Sequence, residues 1–132
     1  MPTTTGKKIA IVTGSALGLG YELASQLIAN GWLVAGVDFN AERQAELTAQ
    51  WPDDSYRAYV GDITDEAFVK ESVADIATLG HIDLLINNAG LGGQKRVVDM
   101  SDEEWSRVLD ITLTGTFRMT RAMLPAMQAR AV

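Results

Sequence analysis

The sequence predicts an α/β fold in which a doubly wound parallel sheet has the strand order 3-2-1-4. Two observations support this prediction. First, four strand-like runs are each followed by a helical pattern, and the first two are continuously apolar, as is typical of strands buried on both faces of a parallel sheet. Second, a glycine-rich turn follows the first run, at the strand end where such sheets bind ligands. The four runs are residues 9–12, 32–37, 56–60 and 82–86.

Composition limits the classes of function. The 132 residues are 47% hydrophobic, which is enough for the core of one domain. The net charge is −6 and no stripe of lysine or arginine occurs, so nucleic acid and anionic membrane surfaces are not expected as partners. There is no cysteine, which excludes disulfides and a cysteine nucleophile, and we expect no metal site.

Two further features concern membranes and location. No apolar run approaches the roughly 18 residues that span a bilayer. The polar residues 1–8 lack the apolar segment of a signal peptide. We therefore expect a cytoplasmic protein with no membrane partner.

The glycine turn at residues 13–20 reads TGSALGLG and leads into a helical pattern at 21–29. A helix that starts after such a turn presents unpaired N–H groups and the positive end of its dipole to an anion. Gly14 would allow the sharp turn, Gly18 would let the backbone approach a pyrophosphate, and Gly20 would let the helix pack closely. The turn is not a P-loop, because no Gly-Lys-Ser/Thr follows, and a glycine-rich turn without a ligand is the alternative.

Asp38 predicts the kind of dinucleotide. It directly follows the second run, 18 residues beyond Gly20, where a carboxylate can accept hydrogen bonds from the hydroxyls of an adenosine ribose. The same carboxylate would repel a 2′-phosphate, and neither Ser15 nor Phe39 offers a positive charge to such a phosphate. The sequence therefore predicts NAD as the cofactor, in preference to NADP.

The third and fourth runs also end in candidate ligand-binding residues. Asp62 and Ile63 follow the third run, and Asn88, Ala89 and Gly90 follow the fourth. Small residues and amides there can hydrogen-bond neighbouring loops and leave room for a ligand, although an ordinary Asn/Gly turn explains their composition equally well. Because the carboxyl ends of parallel strands meet at one edge of the sheet, we expect all these candidates to lie close together.

The helical patterns between the runs predict caps and buried faces. Asn40 predicts the start of a helix that runs to Gln50, with Gln44 among its exposed residues. Thr64 predicts the start of the next helix. The residues expected on the inner face of that helix are Phe68, Val69, Val73, Ile76 and Ala77.

A long helix is predicted from Ser101 to about Ala129. Ser101 and Glu104 have the Ser-x-x-Glu spacing of a capping box. Pro125 predicts a kink or an early end, because its ring clashes with the carbonyl group four residues earlier. The apolar stripe is so wide that we expect it to contact both the sheet and another element or subunit. The stripe consists of Trp105, Val108, Leu109, Ile111, Leu113, Phe117, Thr120, Met123, Leu124 and Met127.

Taken together, these motifs resemble the N-terminal half of the short-chain dehydrogenase/reductase superfamily, whose domains have a Rossmann-like fold. Residues 13–20 match its Thr-Gly-x-x-x-Gly-x-Gly cofactor turn, residues 87–90 match its Asn-Asn-Ala-Gly signature, and Asp62 matches its adenine-side aspartate. The resemblance covers nearly the whole chain and implies one NAD-binding domain over residues 1–132. It also implies an oxidoreductase that transfers a hydride between a nicotinamide ring and a carbonyl or secondary alcohol.

The resemblance assigns roles to the candidate residues. Asp62 and Ile63 would hold the adenine, residues 88–90 would line the adenosine side, and Asn87 would mainly brace the sheet. The set of cofactor-binding residues implied in this way also contains Gly14, Ser15, Leu17, Gly18, Leu19, Gly20, Asp38 and Phe39.

Two departures from the family pattern concern catalysis. Thr112 stands where the family has an asparagine that helps to organise a proton relay, and a hydroxyl lacks the amide's second donor and its reach. In the family, the catalytic serine and the Tyr-x-x-x-Lys pair follow the long helix, so the resemblance implies that they lie beyond these 132 residues. None of the tyrosines in the sequence is followed four positions later by a lysine. We therefore expect a cofactor site without a recognisable catalytic centre, in a chain that is inactive alone.

The same resemblance implies a fold truncated after about four strands, since a fifth strand normally covers the edge of the fourth. We expect a fragment or truncated product, or a homo-oligomer formed through the long helix or through the open edge at residues 82–86. A small-molecule substrate is expected only together with the catalytic half. The alternatives are a non-catalytic nucleotide-binding or assembly module, complete at 132 residues, and an inert remnant that binds no cofactor.

Overall fold

All four predicted strands pair in one parallel sheet in the computed structural model of the chain, which describes residues 6–90 and 95–129. The first strand lies between the second and the fourth, and the third lies outside the second, so the predicted order is confirmed. The strands are β1 (Ile9–Thr13), β2 (Leu33–Asp38), β3 (Tyr56–Val60) and β4 (Ile82–Ile86).

Helices follow the strands and cover both faces of the sheet, as a doubly wound fold requires. The helices are α1 (Gly18–Ala29), α2 (Ala41–Gln50), α3 (Glu66–Ala77), α4 (Asp102–Leu109) and α5 (Gly115–Gln128). A 3-10 turn at Val97–Asp99 precedes α4, and a π-helical segment at Asp110–Thr114 joins α4 to α5. None of the helices in the described ranges is long and apolar enough to cross a bilayer.

The core has two parts because successive side chains of a strand point to opposite faces. Ile11 belongs to the part that packs against α3 and α5. Its neighbour Val12 belongs to the part that packs against α1 and α2. Every residue of β1 is buried, which explains why that run shows no polar alternation.

The inner face of α2 contains a polar residue that the sequence placed outside. Gln44 is only 1% exposed, so its predicted exposure is wrong. Its side-chain amide donates a hydrogen bond to the carbonyl oxygen of Gly36 in β2 at 2.8 Å. A buried amide is tolerated when its hydrogen bonds are made, and these bonds cannot be recognised from helical periodicity.

The start of α3 lies one residue later than predicted. Thr64 is not the cap, because its backbone N–H donates to the Asp62 side chain at 2.9 Å in a turn before the helix. Asp65 is the N-cap, and its side chain accepts from the N–H of Phe68 at 3.2 Å. At the other end, Ala77 is exposed rather than inward because it is the last residue of the helix.

The long predicted helix is divided by the π-helical segment, and only part of the predicted stripe is buried: Met123 belongs to the core, whereas five other members are exposed. Leu113 is 65% exposed, whereas Met119 is fully buried. The buried face runs through Gly115, where an added Cβ would lie only 2.5 Å from the side chain of Ile63. A helix that approaches a neighbouring side chain this closely must do so through a small residue, which a pattern of large apolar residues does not reveal. The stripe members that are exposed are Trp105, Leu109, Leu113, Phe117 and Leu124.

The helix α5 also continues past Pro125, so an early end at that residue is wrong. Pro125 is exposed and stands in the last turn, where its missing N–H removes only one helical hydrogen bond. Three further residues, 126–128, remain helical.

Candidate cofactor site

A cleft of about 330 Å³ opens at the carboxyl ends of the four strands. Its walls come from the turn after β1, the end of β2, the residues after β3 and β4, and the long helical region. Most residues that the sequence proposed for a cofactor line this cleft together. These are Gly14, Leu17, Asp38, Phe39, Asp62, Ile63, Asn88, Ala89 and Gly90.

Four proposed residues do not line the cleft. Ser15 is fully buried beneath the turn, and its hydroxyl lies 2.8 Å from the hydroxyl of Tyr56. Gly18 and Leu19 are exposed in the first turn of α1. Gly20 is buried, and a Cβ there would overlap the carbonyl oxygen of Gly14, so its role is the close packing that the sequence predicted.

The glycine turn has the geometry of an anion site. Gly14 and Gly18 have φ of +68° and +60°, a conformation that glycine adopts without strain. Leu17 precedes α1 and offers no side-chain acceptor to its first N–H groups. The space around Gly18 is open, since no atom lies within 4 Å of an added Cβ. A free helix N-terminus beside open space fits the pyrophosphate of a dinucleotide.

The hydroxyl of Thr13 joins the end of the central strand β1 to the end of its neighbour, the edge strand β4. Its oxygen accepts hydrogen bonds from the backbone N–H groups of Asn88 at 3.0 Å and Ala89 at 2.9 Å. The hydroxyl itself lies 3.4 Å from the carbonyl oxygen of Ile86 in donor geometry. The Asn88 amide also donates to the carbonyl oxygen of Gly14 at 3.2 Å. These bonds fix the two walls of the cleft relative to each other.

Asn87 connects the sheet to a helix, whereas the resemblance implied that it would mainly brace the sheet. Its amide donates to the hydroxyl of Thr120 in α5 at 3.2 Å. It therefore ties the end of β4 to a helix.

The carboxylate of Asp38 is fixed at the edge of the cleft by two backbone donors. One oxygen accepts from the N–H of Ala16 at 3.1 Å, and the other accepts from the N–H of Asn40 at 2.9 Å. Each carboxylate oxygen keeps acceptor capacity beyond these bonds. Next to it, Phe39 is 75% exposed and offers an aromatic face to the cleft.

Asp62 and Ile63, which follow β3, form one wall of the cleft. The Asp62 carboxylate is exposed and accepts from the N–H of Thr64, which orients it in a tight turn. Ile63 is nearly buried between the cleft and α5, so it supplies an apolar surface. A flat apolar ring can pack on such a surface.

Sequence reasoning missed four residues that line the cleft. Val37 and Gly61 stand next to proposed residues and could have been included on position alone. Arg107 and Ile111 come from the long helical region and close the cleft from the side. Their separation of four residues places them on one helical face, but which face meets the cleft depends on how the region docks. Arg107 is the cation among the residues that line the described cleft.

The residues relevant to catalysis are placed as follows. Thr112 lies in the π-helical segment, and its hydroxyl oxygen is 3.6 Å from the position of a Cβ added at Gly90. Tyr21 stacks on Trp51, and Tyr56 and Tyr59 lie along β3. No tyrosine lines the cleft, and no group of three potential metal-ligating side chains occurs within residues 6–90 and 95–129.

The strand order and the cleft at the strand ends define an α/β domain of the Rossmann-like class, which binds nucleotides at this place. The family model described as short chain dehydrogenase matches residues 8–132. The chain therefore belongs to the short chain dehydrogenase family.

Similar proteins include a curated relative and two solved structures. The "(5R,7aS)-5-hydroxy-7a-methyl-1-oxo-2,3,5,6,7,7a-hexahydro-1H-indene-carboxyl-CoA reductase" of Mycobacterium tuberculosis is 38% identical over 123 residues, which are 90% of this chain and 47% of that protein. A 3-ketoacyl-(acyl-carrier-protein) reductase from Brucella melitensis complexed with NADH has a TM-score of 0.86 at 29% identity, with 92% of this chain and 51% of that chain covered. A serine dehydrogenase complexed with NADP+ has a TM-score of 0.85 at 33% identity, with 92% and 50% covered. The chain spans about half the length of the curated relatives that it matches.

Proposed function

We propose that this chain provides the cofactor-binding part of an NAD-dependent oxidoreductase. The observation that carries the proposal is the carboxylate of Asp38, which two backbone donors fix beside the glycine turn. The bound cofactor would supply or accept a hydride, and the substrate would be a carbonyl compound or a secondary alcohol. This chain's own residues would bind the dinucleotide and orient it.

Each part of the cleft suits one part of a dinucleotide. The free N–H groups at the start of α1, near Gly18, would hold the pyrophosphate. Asp38 would accept hydrogen bonds from the adenosine ribose, and Asp62 and Ile63 would hold the adenine. Arg107 would add positive charge to a cleft that otherwise carries two carboxylates.

The charges near Asp38 support NAD over NADP. A 2′-phosphate would face a fixed carboxylate, and the neighbouring lining residues Leu17 and Phe39 carry no charge. Arg43 is the cation close to this end, but its guanidinium donates to Glu46 at 2.7 Å and to the carbonyl oxygen of Ala16 at 2.9 Å. Solved relatives contain NADP+ in one case and NADH in another, so the preference rests on these residues.

The substitution Asp38→Ala tests the cofactor preference. We expect about tenfold weaker binding of NAD, because charge-assisted hydrogen bonds to the ribose are lost, and a smaller ratio between the affinities for NAD and NADP. Isothermal titration calorimetry with NAD and with NADP measures the two affinities. Glu71→Ala is the matched control, since it removes one carboxylate from α3 without touching the cleft and should leave both affinities unchanged. An unchanged ratio in Asp38→Ala would remove the assignment.

A non-catalytic nucleotide-binding or assembly module is the second candidate. Two observations favour it: no described tyrosine lines the cleft, and Thr112 replaces the relay asparagine of the resemblance. On this reading the chain binds NAD without oxidising or reducing a substrate. Formation of reduced nicotinamide from NAD and an alcohol by the purified chain would exclude this candidate. An inert remnant, in contrast, would bind no nucleotide.

We also propose that copies of the chain associate through the long helical region or the open edge of β4. The exposed apolar residues of the stripe support the first route. The second is supported by the sheet order, in which no described strand pairs with the outer edge of β4. The cytoplasmic location stays a prediction of the sequence.

A further inference from the structure

Three buried polar side chains, Ser15, Gln44 and Tyr56, are joined by hydrogen bonds beneath the glycine turn, and none of them lines the cleft. Tyr56 donates its hydroxyl hydrogen to the amide oxygen of Gln44 at 2.5 Å, and its oxygen lies 2.8 Å from the hydroxyl of Ser15. The amide nitrogen of Gln44 lies 2.8 Å from the carbonyl oxygen of Gly36 and 3.4 Å from that of Tyr59. All three side chains are at most 1% exposed.

The direction of each hydrogen bond follows from the two carbonyl groups. They accept only, so the Gln44 amide must present its nitrogen to them and its oxygen to Tyr56. The single hydrogen of Tyr56 is then used for Gln44, so Ser15 must donate to Tyr56. Burial raises the pKa of Tyr56 to about 12, which keeps this hydrogen in place at neutral pH. The Ser15 hydroxyl hydrogen therefore points away from the cleft and is not offered to a phosphate.

This chain of bonds is connected to both donors that fix Asp38. Ser15 is followed by Ala16, whose N–H holds one carboxylate oxygen. Asn40, whose N–H holds the other, caps α2 by accepting from the N–H of Arg43 at 3.0 Å. The helix α2 also contains Gln44. Both donors thus belong to segments that the buried side chains anchor.

The strand β2 leaves space for this chain of bonds. Gly36 lies in the middle of the strand and does not have a positive φ, so its backbone does not require glycine. A Cβ at this position would collide with the hydroxyl groups of Tyr56 and Ser15. The glycine is therefore explained by the polar side chains that pass over it.

We propose that Gln44 and Tyr56 are positioning residues for the cofactor. Acting through Ser15, they hold the N–H of Ala16 in place and so fix the Asp38 carboxylate at the ribose end of the cleft. Their effect is on the affinity for NAD and on the ratio between NAD and NADP, although neither side chain lines the cleft. This inference rests on the proposed function, since it concerns the same site.

The first test uses the chain without any nucleotide. Tyr56→Phe keeps the ring and removes the hydroxyl, and we expect hydrogen exchange of the Ala16 amide to become about tenfold faster, as loss of one net hydrogen bond predicts. Nuclear magnetic resonance measures that exchange rate. Tyr59→Phe is the matched control, because it also removes a tyrosine hydroxyl from β3. The hydroxyl of Tyr59 donates to Asp75 at 2.6 Å, away from the glycine turn. This control should leave the Ala16 rate unchanged, and an unchanged rate in folded Tyr56→Phe would overturn the proposal.

The second test measures binding of NAD and NADP by isothermal titration. In Tyr56→Phe the NAD dissociation constant should rise about tenfold and the preference over NADP should shrink, whereas Tyr59→Phe should match the unsubstituted chain. Ser15→Ala should have the same effect, and combining it with Tyr56→Phe should add little, because both remove one connected chain of bonds.

The outcomes separate the two proposals. If the unsubstituted chain bound neither nucleotide, the proposed function would fail, and the role of Tyr56 toward the cofactor would fail with it. If the chain bound NAD but folded Tyr56→Phe bound both nucleotides equally well as before, only the positioning role would be wrong. If Tyr56→Phe did not fold, Ser15→Ala would give the same two readings.

Discussion

Asp38 occupies its place at the cleft because of backbone geometry and not because of a charged partner. Its two oxygens accept from the N–H groups of Ala16, which lies in the glycine turn, and of Asn40, which is the N-cap of α2. The two N–H donors orient the carboxylate at the ribose end of the cleft, where its charge would repel a phosphate. This is the physical basis of the proposed discrimination between NAD and NADP.

At the same scale, the raised pKa of Tyr56 predicts how the free energy of unfolding depends on pH. Burial is the largest cause that raises its pKa from 10.0 to about 12, against the lowering effect of its hydrogen bond with Ser15. The neutral phenol therefore stabilises the fold fully below about pH 10, and this contribution is lost as pH rises toward about 12.

Urea unfolding on both sides of pH 10 measures this contribution. Tyr56→Phe should show a smaller loss of unfolding free energy with rising pH than the unsubstituted chain. Some loss should remain, because burial and the hydrogen bond to Asp75 also raise the pKa of Tyr59. Equal pH dependence in the two proteins would contradict the burial of an uncharged Tyr56.

The residue scale also shows what a sequence can reveal about a site. Asp38 and Asp62 were predictable because the spacing after each strand places them at its carboxyl end. The inward direction of Ser15 was not predictable, since its partner Tyr56 lies 41 residues away on another strand. The burial of Gln44 depends in the same way on carbonyl groups of β2 and β3.

At the scale of elements, the strands were easier to predict than the long helical region. The buried strands β1 and β2 follow continuous apolar runs, and each of the four predicted runs forms a strand. The stripe through Leu113 and Phe117 follows the helical period, yet those residues are exposed. The π-helical segment at Asp110–Thr114 changes the rotation between α4 and α5, and Gly115 allows the close contact with Ile63.

A pair of substitutions tests which face of this region is the core face. Met119→Ala should destabilise the fold by about 2–5 kcal/mol, because it opens a cavity against the sheet. Leu113→Ala, an equally apolar truncation four residues before Phe117, should change stability by no more than about 0.5 kcal/mol in a monomer. Urea denaturation midpoints measure both values. A larger loss for Leu113→Ala would restore the stripe as the core face.

At the scale of the whole molecule, the strand order brings four strand ends to one cleft. The sequence could predict this meeting point because parallel strands share their carboxyl edge. It could not predict that Arg107 and Ile111 close the cleft, since that depends on how the long helical region docks. The same docking leaves five apolar residues of the stripe on the surface, where association between copies of the chain is proposed.

Association through the stripe has a direct test. Leu113→Glu places a charge in the middle of the exposed apolar residues, so we expect a lower mass by sedimentation velocity than for the unsubstituted chain. Val98→Glu is the matched control, since Val98 is also exposed and apolar but lies in the 3-10 turn before α4, outside the stripe. A mass that falls equally in both variants, or in neither, would exclude this face as the interface.

The central claim is that the cleft at the strand ends binds NAD, and a titration followed by nuclear magnetic resonance tests it most directly. Adding NAD to the chain should shift the backbone amide signals of residues 14–20, 38–39, 62–63 and 88–90, and NADP should produce the same shifts only at higher concentration. The amide signals of α3, which packs on the opposite face of the sheet from α1, should not shift. No shift with NAD, shifts confined to other residues, or tighter binding of NADP would contradict the account.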